Sequence, residues 1–205
     1  MNPEIDFTKS GHVPVYGRND SGKTTTTKQI LQQTETERVA IIDYHDEYGD
    51  LISETGNIDR FVVPNKAKAS KDDLMDYLEH VLNKIKAVGY DVIVIDEFNQ
   101  YIKTKHETPF ILESLKNNIA HDEWNNALGF YIMRRPAQGD NEFRETALFM
   151  IVCYVSGKGN ISQLNDISPQ LGDLATRLAG SPYYDFIFVD ARGNYSLVGG
   201  FDISE

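Results

Sequence analysis

Runs of apolar residues alternate along this chain with stretches of helical periodicity. Several runs are continuous in Val, Ile, Leu and Phe, which is typical of strands buried on both faces of a parallel sheet. Strands are predicted at 12–16, 39–43, 60–63, 91–96, 128–133, 147–155 and 184–190. Strands that alternate with helices indicate an α/β fold, with helices flanking a mostly parallel sheet.

The clearest helix is predicted at 71–88. Ser70 and Asp73 form a capping-box pattern before it, and Gly89 follows it at the position where glycine ends many helices. One face carries an apolar stripe, which consists of Leu74, Leu78, Val81, Leu82 and Ile85. This spacing predicts a helix that packs one side against the sheet.

Weaker patterns predict two more helices and a terminal hairpin. One helix is predicted at about 109–126 and another at about 168–178, with Ser-Pro at its start as N-cap and first helical residue. Residues 186–198 contain two apolar runs around a short polar turn, which predicts a C-terminal β-hairpin. No internal repeat or linker divides the sequence, so we predict one domain, 1–205.

A glycine-rich sequence follows the first predicted strand. Residues 17–24 read Gly-Arg-Asn-Asp-Ser-Gly-Lys-Thr, a complete G-x-x-x-x-G-K-[ST] pattern between a strand and a helix. In such a loop, backbone N–H groups face the β-phosphate, the lysine reaches the β- and γ-phosphates and the last hydroxyl ligates Mg²⁺. The predicted nucleotide-binding residues are Gly17, Arg18, Asn19, Asp20, Ser21, Gly22, Lys23, Thr24 and Thr25.

An Asp-Glu pair ends the strand predicted at 91–96. Asp96 lies at the carboxyl end of that strand, where open α/β sheets bind ligands, and is predicted to hold Mg²⁺ through a water. Glu97 is predicted to activate the attacking water as general base. The nearest match to the guanine-reading N/T-K-x-D element, residues 65–68, lacks its aspartate. The expected ligands are therefore ATP and Mg²⁺ rather than GTP.

Charge and cysteine content restrict the class of protein. The 205 residues carry 20 Lys and Arg against 31 Asp and Glu, a formal net charge of −11. This excludes a polybasic protein that coats nucleic acid or membrane through bulk charge. The single cysteine, Cys153, can form no internal disulfide, which favours a reducing compartment. No apolar stretch approaches the roughly 20 residues of a membrane span, so we expect a cytoplasmic protein.

Two further segments complete a family pattern. Residues 43–48, Asp-Tyr-His-Asp-Glu-Tyr, resemble the D-P-H-G-E-Y element of HerA/FtsK ATPases, and residues 134–136, Arg-Arg-Pro, resemble their Q-R-P element. All four motifs follow the family's order over 12–165. The chain is most similar to the genome-packaging ATPases of tailless, membrane-containing icosahedral viruses. The resemblance implies one RecA-like P-loop NTPase domain of the additional-strand catalytic-glutamate type.

The resemblance also indicates roles for four arginines. Arg134 stands where the family has its sensor glutamine, and Arg135 matches the family arginine, so both are candidates for contact with the γ-phosphate. A ring ATPase also needs an arginine finger from a neighbouring subunit. The candidates for that finger are Arg144 and Arg135, followed by Arg177.

The acidic segment after the second strand allows two interpretations. Asp43 either caps the turn that follows its strand or supports the water ligands of Mg²⁺. His45 and Glu47 are further candidates for such support, although His45 could instead orient a neighbouring loop. No histidine pair has the spacing of zinc ligands.

DNA contact has the weakest signal in the sequence. Residues 99–106 combine two lysines, a histidine and a tyrosine, so Lys103, Lys105 and His106 are candidates for phosphate contact, with Lys158 as a further one. The alternative is an ordinary solvated loop.

The resemblance implies an ATP-hydrolysing translocase, expected to form a homo-hexameric ring, that packs double-stranded viral DNA into a preformed capsid. Its expected partners are DNA and capsid or membrane-vertex proteins, and its expected location is the host cytoplasm or a virion vertex. The alternatives are a small-molecule or nucleotide kinase and a non-translocating, nucleotide-gated assembly or partitioning ATPase.

Overall fold

The computed structural model describes residues 5–33, 38–51, 56–64, 66–101, 110–136, 145–179 and 185–199. The chain forms two compact units. We call Met1–Ile5, Val13–Gln33 and Ile132–Glu205 the phosphate-loop unit, and Asp6–His12 and Thr34–Tyr131 the carboxylate unit. Two strands, β1 (Gly11–Tyr16) and β5 (Leu128–Met133), each run through both units.

The carboxylate unit contains parallel strands in the order β3-β2-β4-β5. Their bounds are Val39–Asp43 for β2, Ile58–Val62 for β3 and Val92–Ile95 for β4. The central strands β2 and β4 are buried along their whole length, as their continuous apolar sequences predict. The unit also contains helices α2 (Lys71–Val88) and α3 (Phe110–Asn118), and 3₁₀ turns at Phe98–Gln100 and Asp122–Trp124.

Helix α2 has the bounds that the sequence predicts. The backbone N–H of Asp73 donates to Ser70 Oγ at 3.1 Å, and the N–H of Ser70 donates to Asp73 Oδ2 at 2.7 Å. This reciprocal capping box satisfies backbone donors at the N-terminus of the helix. Gly89 ends the helix with φ 73°, a conformation that glycine adopts without strain. The predicted apolar stripe is buried.

The phosphate-loop unit contains strands in the order β1-β6-β7-β8. Strand β6 (Phe149–Val152) runs parallel to β1, whereas β7 (Phe186–Asp190) and β8 (Tyr195–Val198) form the predicted antiparallel hairpin. The helices of this unit are α1 (Lys23–Leu31), α4 (Lys158–Ile167) and α5 (Leu171–Arg177). The fold class is confirmed as a mostly parallel, eight-stranded mixed sheet with flanking helices and a C-terminal hairpin.

Several predicted bounds are wrong. The helix predicted at 109–126 ends at Asn118, and Asn125 and Asn126 then adopt left-handed backbone that no helix can contain. The strand predicted at 60–63 begins at Ile58, and the one predicted at 147–155 is confined to Phe149–Val152.

The region around α4 and α5 differs most from its prediction. Ser168 does not open a helix: its extended backbone ends α4, and α5 begins at Leu171. Helix α4 was not predicted, because its start, Gly-Lys-Gly-Asn, has low helix propensity. Close packing stabilises this pair of helices, since a Cβ on Gly172 would lie 2.4 Å from the carbonyl oxygen of Ile161.

None of the helices that the structure describes is long and apolar enough to cross a membrane.

Candidate functional site

The phosphate-loop sequence forms a tight turn between β1 and α1. Asp20 (φ 59°) and Gly22 (φ 85°) adopt left-handed backbone, and Gly22 precedes the first residue of α1. Gly17 has no room for a side chain, since a Cβ there would lie 2.3 Å from Ser21 Oγ and 2.9 Å from the Cβ of Cys153. A helix that begins directly behind such a turn directs its first N–H groups and its positive end towards an anion.

Polar groups of this turn are buried at the start of α1. Lys23 is 7% exposed, and its Nζ donates to the carbonyl oxygen of Arg18 at 3.0 Å. Ser21 is 8% exposed, and its Oγ has no hydrogen-bond partner among the described residues. A buried ammonium beside an unpaired hydroxyl fits a phosphate group, which brings negative charge and several acceptor oxygens. Thr24, the predicted metal ligand, is half-buried in the first turn of α1.

The predicted sensor arginines lie next to this turn. The N–H of Gly17 donates to the carbonyl oxygen of Met133, the last residue of β5, at 3.1 Å. Arg134 and Arg135 follow Met133 directly, and Arg134 is half-buried whereas Arg135 is exposed. The structure thus brings both arginines to a strand end that is hydrogen-bonded to the phosphate loop.

Cys153 packs behind the loop. Burial raises the pKa of its thiol to about 11, against smaller lowering effects from the neighbouring Thr26 and the charge of Lys23. The thiol is therefore protonated at neutral pH and packs as a small apolar group. The next residue, Tyr154, accepts a hydrogen bond from the N–H of Arg18 at 2.9 Å, which anchors the loop to the end of β6.

In the carboxylate unit, β4 ends at a buried aspartate. Asp96 is 2% exposed, its N–H donates to the carbonyl oxygen of Ile42 at 3.0 Å, and its Oδ2 has no partner within the described chain. Burial, together with smaller effects of the charges of Glu97, Asp43 and Glu47, raises the pKa of this carboxyl to about 7. A divalent cation would supply the missing positive charge, so the unpaired oxygen fits a role in holding Mg²⁺.

The predicted general base occupies a strained position. Glu97 has φ 48° and ψ 42°, which is unusual for a residue with a side chain, and it is 4% exposed. A 3₁₀ turn, Phe98–Gln100, begins immediately after it. Glu97 Oε1 lies 3.6 Å from Nε2 of His45. The strained backbone therefore directs a buried carboxylate towards the segment that follows β2.

Asp43, at the end of β2, caps the turn after it. Its fully buried carboxylate accepts hydrogen bonds from the N–H groups of Asp46, Glu47 and Tyr48 at 2.7, 3.1 and 3.0 Å. It also accepts one from the guanidinium of Arg60 at 3.2 Å. This geometry favours the capping interpretation of Asp43, because these donors already occupy both of its oxygens.

Arg60 is a site residue that sequence reasoning missed. It lies on β3 and contacts Asp43 and Asp46. The available signal was an arginine in the segment predicted as a strand at 60–63, because a cation that is partly buried in a sheet needs an anionic partner. Tyr101 also differs from expectation: the sequence groups it with a DNA-contacting segment, yet its side chain is fully buried.

The other predicted site residues lie apart from these clusters or outside the described residues. Lys158 is exposed as the first residue of α4, and Arg177 is exposed in the last turn of α5. The remaining candidates for DNA contact and for the arginine finger lie outside the described residues: Lys103, Lys105, His106 and Arg144.

Solved structures with similar folds include two viral genome-packaging proteins and VirB4. The genome packaging NTPase B204 of Sulfolobus turreted icosahedral virus 2, in complex with ATP-γ-S, is 17% identical, with a TM-score of 0.67 over 94% of this chain and 98% of that one. The DNA-packaging ATPase B204 of Sulfolobus turreted icosahedral virus is 18% identical, with a TM-score of 0.67 over 93% and 97%. VirB4 of Thermoanaerobacter pseudethanolicus is 9% identical, with a TM-score of 0.71 over 98% and 93%.

These likenesses confirm the P-loop ATPase fold expected from the HerA/FtsK resemblance. No curated protein matches the sequence. The AAA domain profile matches residues 7–126, which span the phosphate loop, the Asp96–Glu97 pair and more than half of the chain. The protein therefore belongs to the AAA domain family of P-loop ATPases.

Proposed function

We propose that this ATPase is a motor that moves double-stranded DNA, and that the DNA is a viral genome packed into a preformed capsid. The buried Asp96–Glu97 pair at the end of β4 carries the proposal of hydrolysis, because it combines a carboxylate suited to a metal with an adjacent base for water. The likeness in fold to the genome packaging NTPase B204 supports packaging as the work that hydrolysis drives.

Each nucleotide-binding residue has a distinct role in this proposal. The loop 17–22 and Lys23 bind the phosphates, while Thr24 and Asp96 hold Mg²⁺, Asp96 through a water. The cation supplies positive charge that neutralises the triphosphate. Glu97 orients the attacking water and accepts its proton. The unpaired oxygen of Asp96 and the buried ammonium of Lys23 support these assignments.

Arginines supply the remaining positive charge in the proposal. Arg134 contacts the γ-phosphate from the same subunit, and its position next to the phosphate loop supports this role. Arg135, Arg144 and Arg177 are the candidates for a finger that enters the neighbouring subunit's site. Exposure of Arg135 and Arg177 supports both, since a finger must be accessible to a neighbour.

DNA contact is proposed for a few cations. With a net charge of −11, binding by the general surface is unfavourable, so the contact is confined to Lys103, Lys105, His106 and Lys158. Such a grip is weak and sensitive to salt, which suits a motor that must release DNA at each step.

We propose that residues 1–205 act as one ATPase domain and that six copies form a ring around the DNA. Capsid or membrane-vertex proteins then supply the specificity for genome and capsid. The host cytoplasm is the proposed site of action, with a virion vertex as the place of assembly.

Steady-state hydrolysis tests the proposal. The rate of Mg²⁺-dependent ATP hydrolysis is measured with and without duplex DNA, beside a native mass of the assembly. We expect duplex DNA to raise the rate and the assembly to have six subunits. E97Q should bind ATP nearly as well as the native protein while turnover falls by about 100-fold or more.

The outcomes separate the parts of the proposal. E97Q that hydrolyses ATP at the native rate would show that another residue is the base. A monomer that is indifferent to DNA at every salt concentration would contradict the motor. Transfer of the γ-phosphate to an added alcohol or nucleotide, without stimulation by DNA, would identify a kinase.

A further inference from the structure

We propose that His45 is a positioning residue for the general base, holding the carboxylate of Glu97 in the orientation that activates water. This inference rests on the proposed function, because it assumes that Glu97 is the base. From the sequence alone, His45 could either support the water ligands of Mg²⁺ or orient a neighbouring loop. The contacts within the carboxylate unit instead direct the imidazole to Glu97.

The backbone that carries His45 is held from both sides. Asp46 adopts left-handed backbone with φ 65°, and Asp43 binds the N–H groups that follow. The guanidinium of Arg60 reaches Asp46 Oδ1 at 2.7 Å and Asp43 Oδ2 at 3.2 Å. The same guanidinium lies close to Gly49, where a Cβ would be 3.1 Å from Nη1 of Arg60. His45 therefore projects from a rigid turn.

The imidazole packs against the ring of the preceding tyrosine. The rings of Tyr44 and His45 meet edge to face, with centroids 5.0 Å apart and planes at 83°. The ring of Tyr44 also meets Tyr101 edge to face at 6.1 Å. Lys66 Nζ donates to the carbonyl oxygen of Tyr44 at 2.9 Å and lies 5.8 Å from its ring centre. These contacts hold the Tyr44 ring, against which the partly exposed His45 ring packs.

Glu97 belongs to an acidic cluster beside Asp96. The negative charges of Glu97, Asp43 and Glu47 all act on Asp96, so these carboxylates repel one another. Asp43 has a cationic partner in Arg60, whereas the nitrogen that faces Glu97 belongs to His45. At 3.6 Å the pair is an electrostatic contact, and a small side-chain rotation would close it to a hydrogen bond. The imidazole would then hold Glu97 Oε1.

Two substitutions separate positioning from nucleotide binding and from packing. H45L keeps bulk but removes both ring nitrogens, whereas H45Q keeps an N–H donor at a similar distance from the backbone. In the full-length protein with Mg²⁺ and ATP, we expect H45L to lower kcat about tenfold and to leave the KM for ATP within about twofold. H45Q should retain at least about a third of the native kcat. The matched control is H80L, on the exposed face of α2, which should change neither parameter.

Each result bears on the inference. It is overturned if H45L has the native kcat, if H45L changes KM alone, or if H45Q is as inactive as H45L. Far-UV circular dichroism and binding of a fluorescent ATP analogue identify a variant that has merely unfolded. In that case H45N is measured at a temperature where it is folded, with the same expectation of a fall in kcat at unchanged KM.

E97Q distinguishes this inference from the proposed function. If E97Q turns over at the native rate, Glu97 is not the base and both assignments are wrong. If E97Q is inactive while H45L is fully active, the proposed function stands and the role of His45 alone is refuted. If both lose activity, the double variant E97Q/H45L should be no slower than E97Q, because His45 acts through Glu97. A further large loss in the double variant would refute positioning.

Discussion

Replacing Asp96 with asparagine should stabilise the nucleotide-free protein at alkaline pH. Burial, reinforced by neighbouring carboxylates, raises the pKa of Asp96 to about 7 from its ordinary value of 3.8. The pKa of Asp96 is higher in the folded state than in the unfolded state, so its protonated carboxyl contributes fully to stability at pH values below the unfolded-state pKa. This contribution is lost as pH rises through about 7. Asn has nearly the same shape and carries no charge to bury.

The pKa shift determines the size of the effect. Each pKa unit corresponds to about 1.4 kcal/mol, so ionised Asp96 destabilises the folded state by about 4 kcal/mol at pH 8. At pH 5 the carboxyl is still protonated in the folded state but mostly ionised in the unfolded state. This difference destabilises the folded state by about 2 kcal/mol. The free energy of unfolding of D96N, minus that of the native protein, should therefore rise by about 2–3 kcal/mol between pH 5 and pH 8.

Urea unfolding at several pH values measures this difference. Trp124, the single tryptophan, is 2% exposed and donates its indole N–H to Ser114 Oγ, so its fluorescence reports on the carboxylate unit. The control is D76N on the exposed face of α2, which should differ from the native protein by less than about 0.5 kcal/mol at every pH. A D96N difference that stays constant from pH 5 to pH 8 would refute the buried, raised-pKa description of Asp96.

Three further substitutions test interactions within one unit or the other. G172A should destabilise the protein by about 2 kcal/mol or more, because its Cβ would meet the carbonyl oxygen of Ile161; an unchanged urea midpoint would contradict this. S70A should lower the free energy of unfolding by about 1 kcal/mol, because it removes the capping box, and S70D should recover most of that loss. Helix content and the urea midpoint measure the change. R60M should cost about 3 kcal/mol by leaving Asp43 buried without its cation, and a midpoint within error of the native one would refute the ion pair.

The fold was predictable where local signals agree. Strands β2 and β5 have their predicted bounds because each is a continuous apolar run that is buried on both faces. Helix α2 also matches, since a capping box, an apolar stripe and a final glycine all indicate the same bounds. Helix α4 was missed because its stability depends on packing against α5 at Gly172, which no local propensity reveals.

The candidate site also combines residues that the sequence identifies with residues that only the tertiary structure brings together. The phosphate loop and Asp96–Glu97 were recognisable because their chemistry lies within a few consecutive residues. The Arg60–Asp43 pair depends on the parallel pairing of β3 with β2, and the His45–Glu97 contact joins segments that follow two different strands. Only the tertiary structure brings such residues together, so spacing along the sequence could not identify them.

Translocation on DNA tests the central claim most directly. A short third strand is bound to duplex DNA as a triplex, and its displacement by the native protein is followed over time with Mg²⁺ and ATP. The account predicts displacement that requires hydrolysis and disappears both in E97Q and with a non-hydrolysable ATP analogue. Rapid ATP hydrolysis by the native protein without any displacement of the third strand would contradict it.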